Sequence, residues 1–232
     1  MEFSLFLPHL AYLEIDSMIF FPTLVISLAF HVKRMYKSLI TAIGTISPIY
    51  IVWDFLATLK GSWGFNPKWV LGIYVVNLPV EEVLFFVVTP FATLLIYDFL
   101  FNKFRDKELR FVTSRKVVGT ALVILLLDFL FLSYSYTFVD LVYLSASLLT
   151  AQFLDGEMLR SRNYWVFVLL TFIPFLVFDY FLTSLPVVVY GTHSILGIRI
   201  LTIPVEDAIY SLSMMNFYTS IYRVGAKVWS ST

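Results

Sequence analysis

Pro79-Val80-Glu81-Glu82-Val83-Leu84-Phe85-Phe86 sets two adjacent carboxyl groups in an otherwise apolar run. Pro204-Val205-Glu206-Asp207 repeats the pattern at an offset of 125 positions, from 79 to 204. Each charge at the centre of a membrane span costs roughly 2.5–3.5 kcal/mol on insertion scales. A chain that carries such a pair twice, at matching places, uses it for chemistry or for architecture.

The surroundings of these motifs are those of a membrane protein. Of 232 residues, 59% are apolar and 14% charged, and mean hydropathy is +0.86. A soluble domain has about 25% charged residues. The long apolar runs fit helices rather than the short alternating strands of a barrel. Net charge is zero, which excludes a basic surface for nucleic acid. Cysteine is absent, so disulfides and thiolate chemistry are absent too. Met1 to Leu7 lacks a basic leader region, and the first apolar segment therefore reads as a retained span.

The hydropathy places spans at Leu7–Phe30, Leu39–Leu59, Trp69–Phe99, Val117–Tyr134, Phe138–Leu154, Tyr164–Leu185 and Ile195–Tyr222. The third is read as one helix kinked at Pro79, with Asn77 and Thr202 placed to satisfy backbone groups that the two prolines release. With the N-terminus outside, all basic residues except Lys60, Lys68 and Arg199 fall on the cytoplasmic side, so the expected orientation is N-out and C-in.

Sliding the chain on itself by the same offset aligns Val52, Asp54 and Thr58 with Val177, Asp179 and Thr183. Gly72 meets Gly197 and Tyr97 meets Tyr222, with no gap from Val52 to Tyr97. The expected fold class is an all-α polytopic membrane protein of seven helices. Two parallel three-helix repeats, residues 1–101 and 137–232, are joined by a charged linker and connecting helix at 102–136, a 3+1+3 arrangement.

Glu81, Glu82, Glu206 and Asp207 are the candidate catalytic acids. A carboxyl walled by apolar side chains can hold its proton and pass it to an equally apolar partner. Asp54 and Asp179, on the preceding helix of each unit, are candidate partners. Pro79 and Pro204 shape the motif, while Trp53, Trp69, Phe85, Phe86, Tyr180 and Tyr210 offer π faces to a developing cation. Glu14, Asp16 and Asp128 read as interhelical or interface residues. His9, His31 and His193 are dispersed, so no metal site is expected, and no dinucleotide fingerprint is present.

Pro79 to Phe86, following Trp63-Gly64-Phe65 and Leu71-Gly72, resembles the signature of the membrane-integral lycopene cyclase domain. Pro204 to Asp207 resembles the matching motif of the second half. The resemblance implies a fused pair of the domains found in bacterial, archaeal and fungal carotenoid cyclases, without a phytoene synthase module. It implies non-redox β-cyclisation of lycopene or a related acyclic carotenoid, by γ-carotene to β-carotene, in the cell membrane. No cofactor is expected, with a reduced flavin left open. Association with other carotenoid-pathway enzymes is compatible with this reading. Two sites or one composite site both fit the doubled motif. The alternative is a small-solute transporter, since the SWEET fold shares the 3+1+3 plan. A retinal-binding protein would need a lysine in the last span, where only Arg199 occurs.

Overall fold

The computed structural model describes residues 6–230; most of Met1–Leu7, read above for its lack of a leader, lies outside them. Among the described residues are seven α-helices: α1 (Ala11–Ala29), α2 (Tyr36–Leu59), α3 (Val80–Lys103), α4 (Ser114–Asp128), α5 (Ser135–Asp155), α6 (Arg162–Ser184) and α7 (Val205–Ser230). Five of them, α1, α2, α3, α5 and α6, are long and apolar enough to cross a membrane. Short strands fill the α2–α3 connection as β1 (Trp63–Phe65), β2 (Tyr74–Val75) and β3 (Leu78–Pro79). Their counterparts before α7 are β4 (Val188–Tyr190), β5 (Arg199–Ile200) and β6 (Ile203–Pro204).

Two expected spans are corrected. Residues 69–79 are not the first half of a kinked helix, because α3 begins only at Val80. The preceding apolar residues form a hairpin, with Tyr74 paired to Pro79 and Val75 to Leu78. Gly72 at φ 84° turns the chain into it, and Val80 N–H donates to the Ile73 carbonyl at 2.9 Å. The hairpin satisfies backbone groups that a broken helix would leave open. Pro79 then caps α3 with φ −56° and ψ 147°, where its missing N–H costs nothing. The same correction applies to Ile195–Tyr222: β5 and β6 form the matching hairpin, Gly197 sits at φ 79°, and α7 starts after Pro204. Both hairpin tips hold a large apolar residue at positive φ, Val76 at 61° and Leu201 at 57°.

The predicted span Val117–Tyr134 is also shorter than expected. α4 ends at Asp128 and runs into a 3₁₀ turn, Phe129–Phe131. Its 15 residues cover only about 22 Å at ~1.5 Å per residue.

Asn77 and Thr202 do not repair a kink. Asn77 Nδ2 donates to Thr58 Oγ1 at 2.7 Å and to the Phe55 carbonyl at 3.1 Å, tying its hairpin to α2. Thr202 Oγ1 lies 2.7 Å from Thr183 Oγ1 and ties the second hairpin to α6.

Prolines inside helices occur elsewhere, at Pro22 in α1, Pro48 in α2, Pro90 in α3 and Pro174 in α6. Pro90 frees the Phe86 carbonyl, which accepts from Ser47 Oγ at 2.7 Å and Tyr218 OH at 3.3 Å. The proline thereby links three helices, α2, α3 and α7.

The two halves meet through β1 and β4, which pair antiparallel with Gly64 opposite Val189. Gly64 and Val189 are themselves equivalent under the 125 offset, so the pairing is its own image under a pseudo-two-fold. Flanking bonds obey it as well: Gly191 N–H donates to Ser62 O, and Asn66 N–H to Val187 O, both at 2.9 Å.

Polar groups gather at the two ends of the bundle. One end holds the carboxyls of both motifs. The other holds ion pairs within each half, Arg34 with Asp98 at 3.2 Å, Arg223 with Asp155, and Lys227 with Asp155 at 3.1 Å, while Arg223 Nη1 donates across the halves to Tyr97 OH at 2.8 Å. Tyr222 OH also donates to Asp98 at 2.7 Å.

A Cβ at Gly191 would lie 2.5 Å from the Gly61 carbonyl oxygen, a backbone atom with no freedom to move aside. Gly191→Ala is therefore expected to lower stability by about 1–3 kcal/mol through overpacking at the joint between halves. Thermal unfolding in detergent micelles, showing a reduced Tm against the unsubstituted chain, checks this.

Candidate active site

The first residues of α3 and α7 divide their acids by direction. Glu81 is fully buried and its Oε1 accepts from Leu71 N–H at 2.6 Å. Glu206 does the same with Leu196 N–H at 2.7 Å and takes a second bond from Thr137 Oγ1 at 2.7 Å. These two carboxyls hold the loops that lead into the hairpins. Glu82 and Asp207 are one residue further on, about 100° around the helix, and line an internal cavity instead.

Each cavity-facing acid sits in a cluster of phenols and a second carboxyl. Tyr12 OH, from α1, donates to Glu82 Oε2 at 2.6 Å. Asp54, from α2, borders the same cavity as Glu82, and its Oδ1 accepts from Trp63 Nε1 at 2.6 Å. In the second half Tyr136 OH, from α5, donates to Asp207 Oδ1 at 2.8 Å. Tyr190 OH, from β4, donates to Oδ2 of the same group at 2.6 Å. Asp179, from α6, borders the cavity with Asp207 as Asp54 does with Glu82.

The clusters are related but unequal. Tyr12 stacks on Phe65 at 6.3 Å and Tyr136 on Tyr190 at 5.9 Å, and these pairs are equivalent. Phe65 has no hydroxyl, so the first cluster lacks the second phenol and uses Trp63 on Asp54 in its place. Trp63 also packs against Tyr136 at 4.7 Å, joining the clusters across the β1–β4 pair.

The cavity measures about 650 Å³ and is a long groove rather than a chamber. Both carboxyl clusters close one end. From there it follows α3 through Phe85, Thr89, Thr93 and Ile96 to Phe99, with walls from α1, α6 and α7. Phe99 lies seventeen positions beyond Glu82, which is about 25 Å along the helix at ~1.5 Å per residue. The far end is apolar, with Ile26, Phe30 and Val32 facing Phe99.

Of the other expected site residues, Phe85 and Tyr210 line the groove. Phe86 is buried behind it, 6.0 Å from the Tyr50 ring. Trp53 packs on Tyr143 at 4.1 Å and Tyr210 at 5.0 Å, outside the groove lining. Trp69 lies under Lys68, and its carbonyl accepts from Tyr12 N–H at 3.1 Å. Pro79 and Pro204 cap the helices, and Tyr180 is 39% exposed.

Sequence reasoning passed over Tyr12, Trp63, Tyr136 and Tyr190 as site residues. It also misread Asp16, which has no interhelical partner: both its carboxyl oxygens and both of Asp140 are buried without a hydrogen bond from the protein. The signal was present. Tyr12-x-x-x-Asp16 recurs as Tyr136-x-x-x-Asp140, at an offset of 124. One residue inserted between the first and second helices of the unit hides it from a comparison at 125.

Two segments of the chain, residues 9–100 and 133–224, match the Lycopene cyclase family, and the chain belongs to that family. Membership carries a carotenoid cyclase role and a carotenoid substrate, and five membrane-length apolar helices accord with a membrane protein. No curated protein and no solved structure matches the chain. Neither the fold nor the family match supports the transporter alternative.

Removing the acceptor at Glu81 or Glu206 strands a part-buried backbone N–H. Glu81→Ala and Glu206→Ala are each expected to cost about 1–3 kcal/mol of stability. Glu81→Gln and Glu206→Gln keep an acceptor oxygen and should cost less, and unfolding curves of the four variants distinguish these outcomes.

Proposed function

We propose that the chain is a lycopene β-cyclase, converting each acyclic end of the carotenoid into a β-ring without net redox change. The observation that carries the reading is the pair of carboxyl clusters at one end of a long apolar groove. A hydrocarbon substrate offers no polar handle, so the groove would hold it by shape and by burial of apolar surface.

The chemistry needs one proton in and one proton out. A carboxylic acid at the groove end protonates the terminal double bond of the substrate, leaving a tertiary cation. The internal alkene attacks that cation and closes the six-membered ring, which moves the charge to a ring carbon. Loss of the neighbouring ring proton to a carboxylate forms the ring double bond and restores neutrality. Glu82, bonded to Tyr12 and facing Asp54, is the better placed donor. Asp207, which receives hydrogen bonds from two phenols, is the better placed acceptor. Tyr210, Phe85 and the Trp63 ring border the same end and offer π faces to the transient cation. The chain's residues supply all of these groups, so the reading calls on no flavin or other cofactor.

The membrane arrangement we infer is multi-pass in the cell membrane, N-terminus outside and C-terminus inside, as a 3+1+3 plan. Its support is the charge distribution: the helix ends opposite the acids carry Lys33, Arg34, Lys37 and Lys103, together with Arg223 and Lys227. The carboxyl clusters then lie toward the outer face rather than at the midplane.

Expression in a lycopene-accumulating host is expected to yield γ- and β-carotene; unchanged lycopene, with the protein detected in the membrane, would sink the reading. Glu82→Gln and Asp207→Asn should each lower cyclisation by about 10²–10⁴-fold, the range for loss of a general acid or base. Pigment analysis normalised to membrane-bound protein measures both.

A further inference from the structure

The 125 offset gives the open groove an equivalent place in the other half, and among the described residues that place is filled. Ile19, Phe175 and Phe178 border the open groove. Their equivalents in the other half are Tyr143, Tyr50 and Trp53, and these fill the matching space. Tyr143 packs at 4.1 Å on Trp53 and 5.3 Å on Tyr50, and Tyr50 also lies 5.3 Å from Tyr210. A groove closed by interlocked aromatic rings has no room for a polyene.

The open groove has chemistry at one end only. Glu82, Asp54, Asp179 and Asp207 all border the same end, whereas Phe30, Val32 and Phe99 form the other. Asp98, the acid nearest that far end in sequence, is occupied by Arg34 and Tyr222 and does not border the groove. A conjugated polyene is a stiff rod and cannot fold back to bring its second terminus to the carboxyls.

We infer that both carboxyl clusters serve one substrate terminus, and that each visit to the groove closes a single ring. This inference rests on the β-cyclisation reading. The doubly cyclised product then requires the monocyclic intermediate to leave, reverse and re-enter with its acyclic end toward Glu82 and Asp207. The protein works as a one-end cyclase used twice, not as two sites acting together on one molecule.

The test uses the full chain in proteoliposomes, fed ¹³C-labelled lycopene with an excess of unlabelled γ-carotene. The expected result is that label in β-carotene falls in proportion to the excess, because the labelled intermediate mixes with the free pool. Undiluted label passing straight into β-carotene overturns the inference while leaving the cyclase reading intact. Absence of any cyclised product overturns the cyclase reading and the inference with it. Thr93→Trp, which blocks the open groove, is expected to slow first-ring and second-ring formation by the same factor. First-ring formation at the unsubstituted rate would show a second working groove and would likewise overturn the inference.

Discussion

The antiparallel pairing of Trp63–Phe65 with Val188–Tyr190 is the contact on which the active end depends. Three residues from each half cross about a pseudo-two-fold, and their side chains are site residues: Trp63 reaches Asp54 and Tyr190 reaches Asp207. The strand pair thus converts two distant copies of one motif into neighbours. Without it, each half would present a carboxyl cluster to its own surroundings. With it, both clusters close the same groove.

Duplication supplies the symmetry, and small substitutions break it where chemistry requires a difference. Phe65 and Tyr190 stand at equivalent places, yet only one has a hydroxyl to give. Ile19 and Tyr143 are equivalent too, and that exchange contributes to one groove being open and the other full. The backbone keeps the symmetry more strictly than the side chains. Gly72 and Gly197, Val76 and Leu201, and the hairpin bonds of Val80 and Val205 all coincide. Glu81 and Glu206 belong to that conserved framework, since each fastens a loop, while Glu82 and Asp207 face the space where the halves differ.

Much of this is legible in the sequence. Helical class, the 125 offset and the pairing of Asp54 and Asp179 with the acidic motifs follow from patterning and from the cost of buried charge. The hairpins were not legible. Residues 69–79 are apolar enough to extend a span, and hydropathy alone does not separate a membrane helix from an apolar hairpin packed on one. Gly72 followed by Asn77-Leu78-Pro79 was the local signal, because proline disfavours helix in the residue before it. The direction of each acid was hidden as well. Neighbours on a helix differ by about 100°, and which one faces the groove depends on packing that sequence does not show. Tyr12 and Tyr136 escaped notice because a single inserted residue shifts their register against the rest of the repeat.

The bond network around Pro90 has a bearing on how a molecule as long as a carotenoid reaches the interior. Through the freed Phe86 carbonyl, α3 is stitched to Ser47 of α2 and Tyr218 of α7. α1 is fastened differently. Tyr12 pins its first turn to Glu82 and to Trp69, but from Asp16 to Ala29 no described hydrogen bond joins it to another helix. Drawing α3 aside would break polar bonds in a buried seam. Tilting the part of α1 beyond Ile19 about Tyr12 breaks none of the described hydrogen bonds between helices and exchanges mostly apolar contacts. The compliant wall of the groove is therefore α1, hinged at the acids themselves, so the doorway and the chemistry share a single pivot.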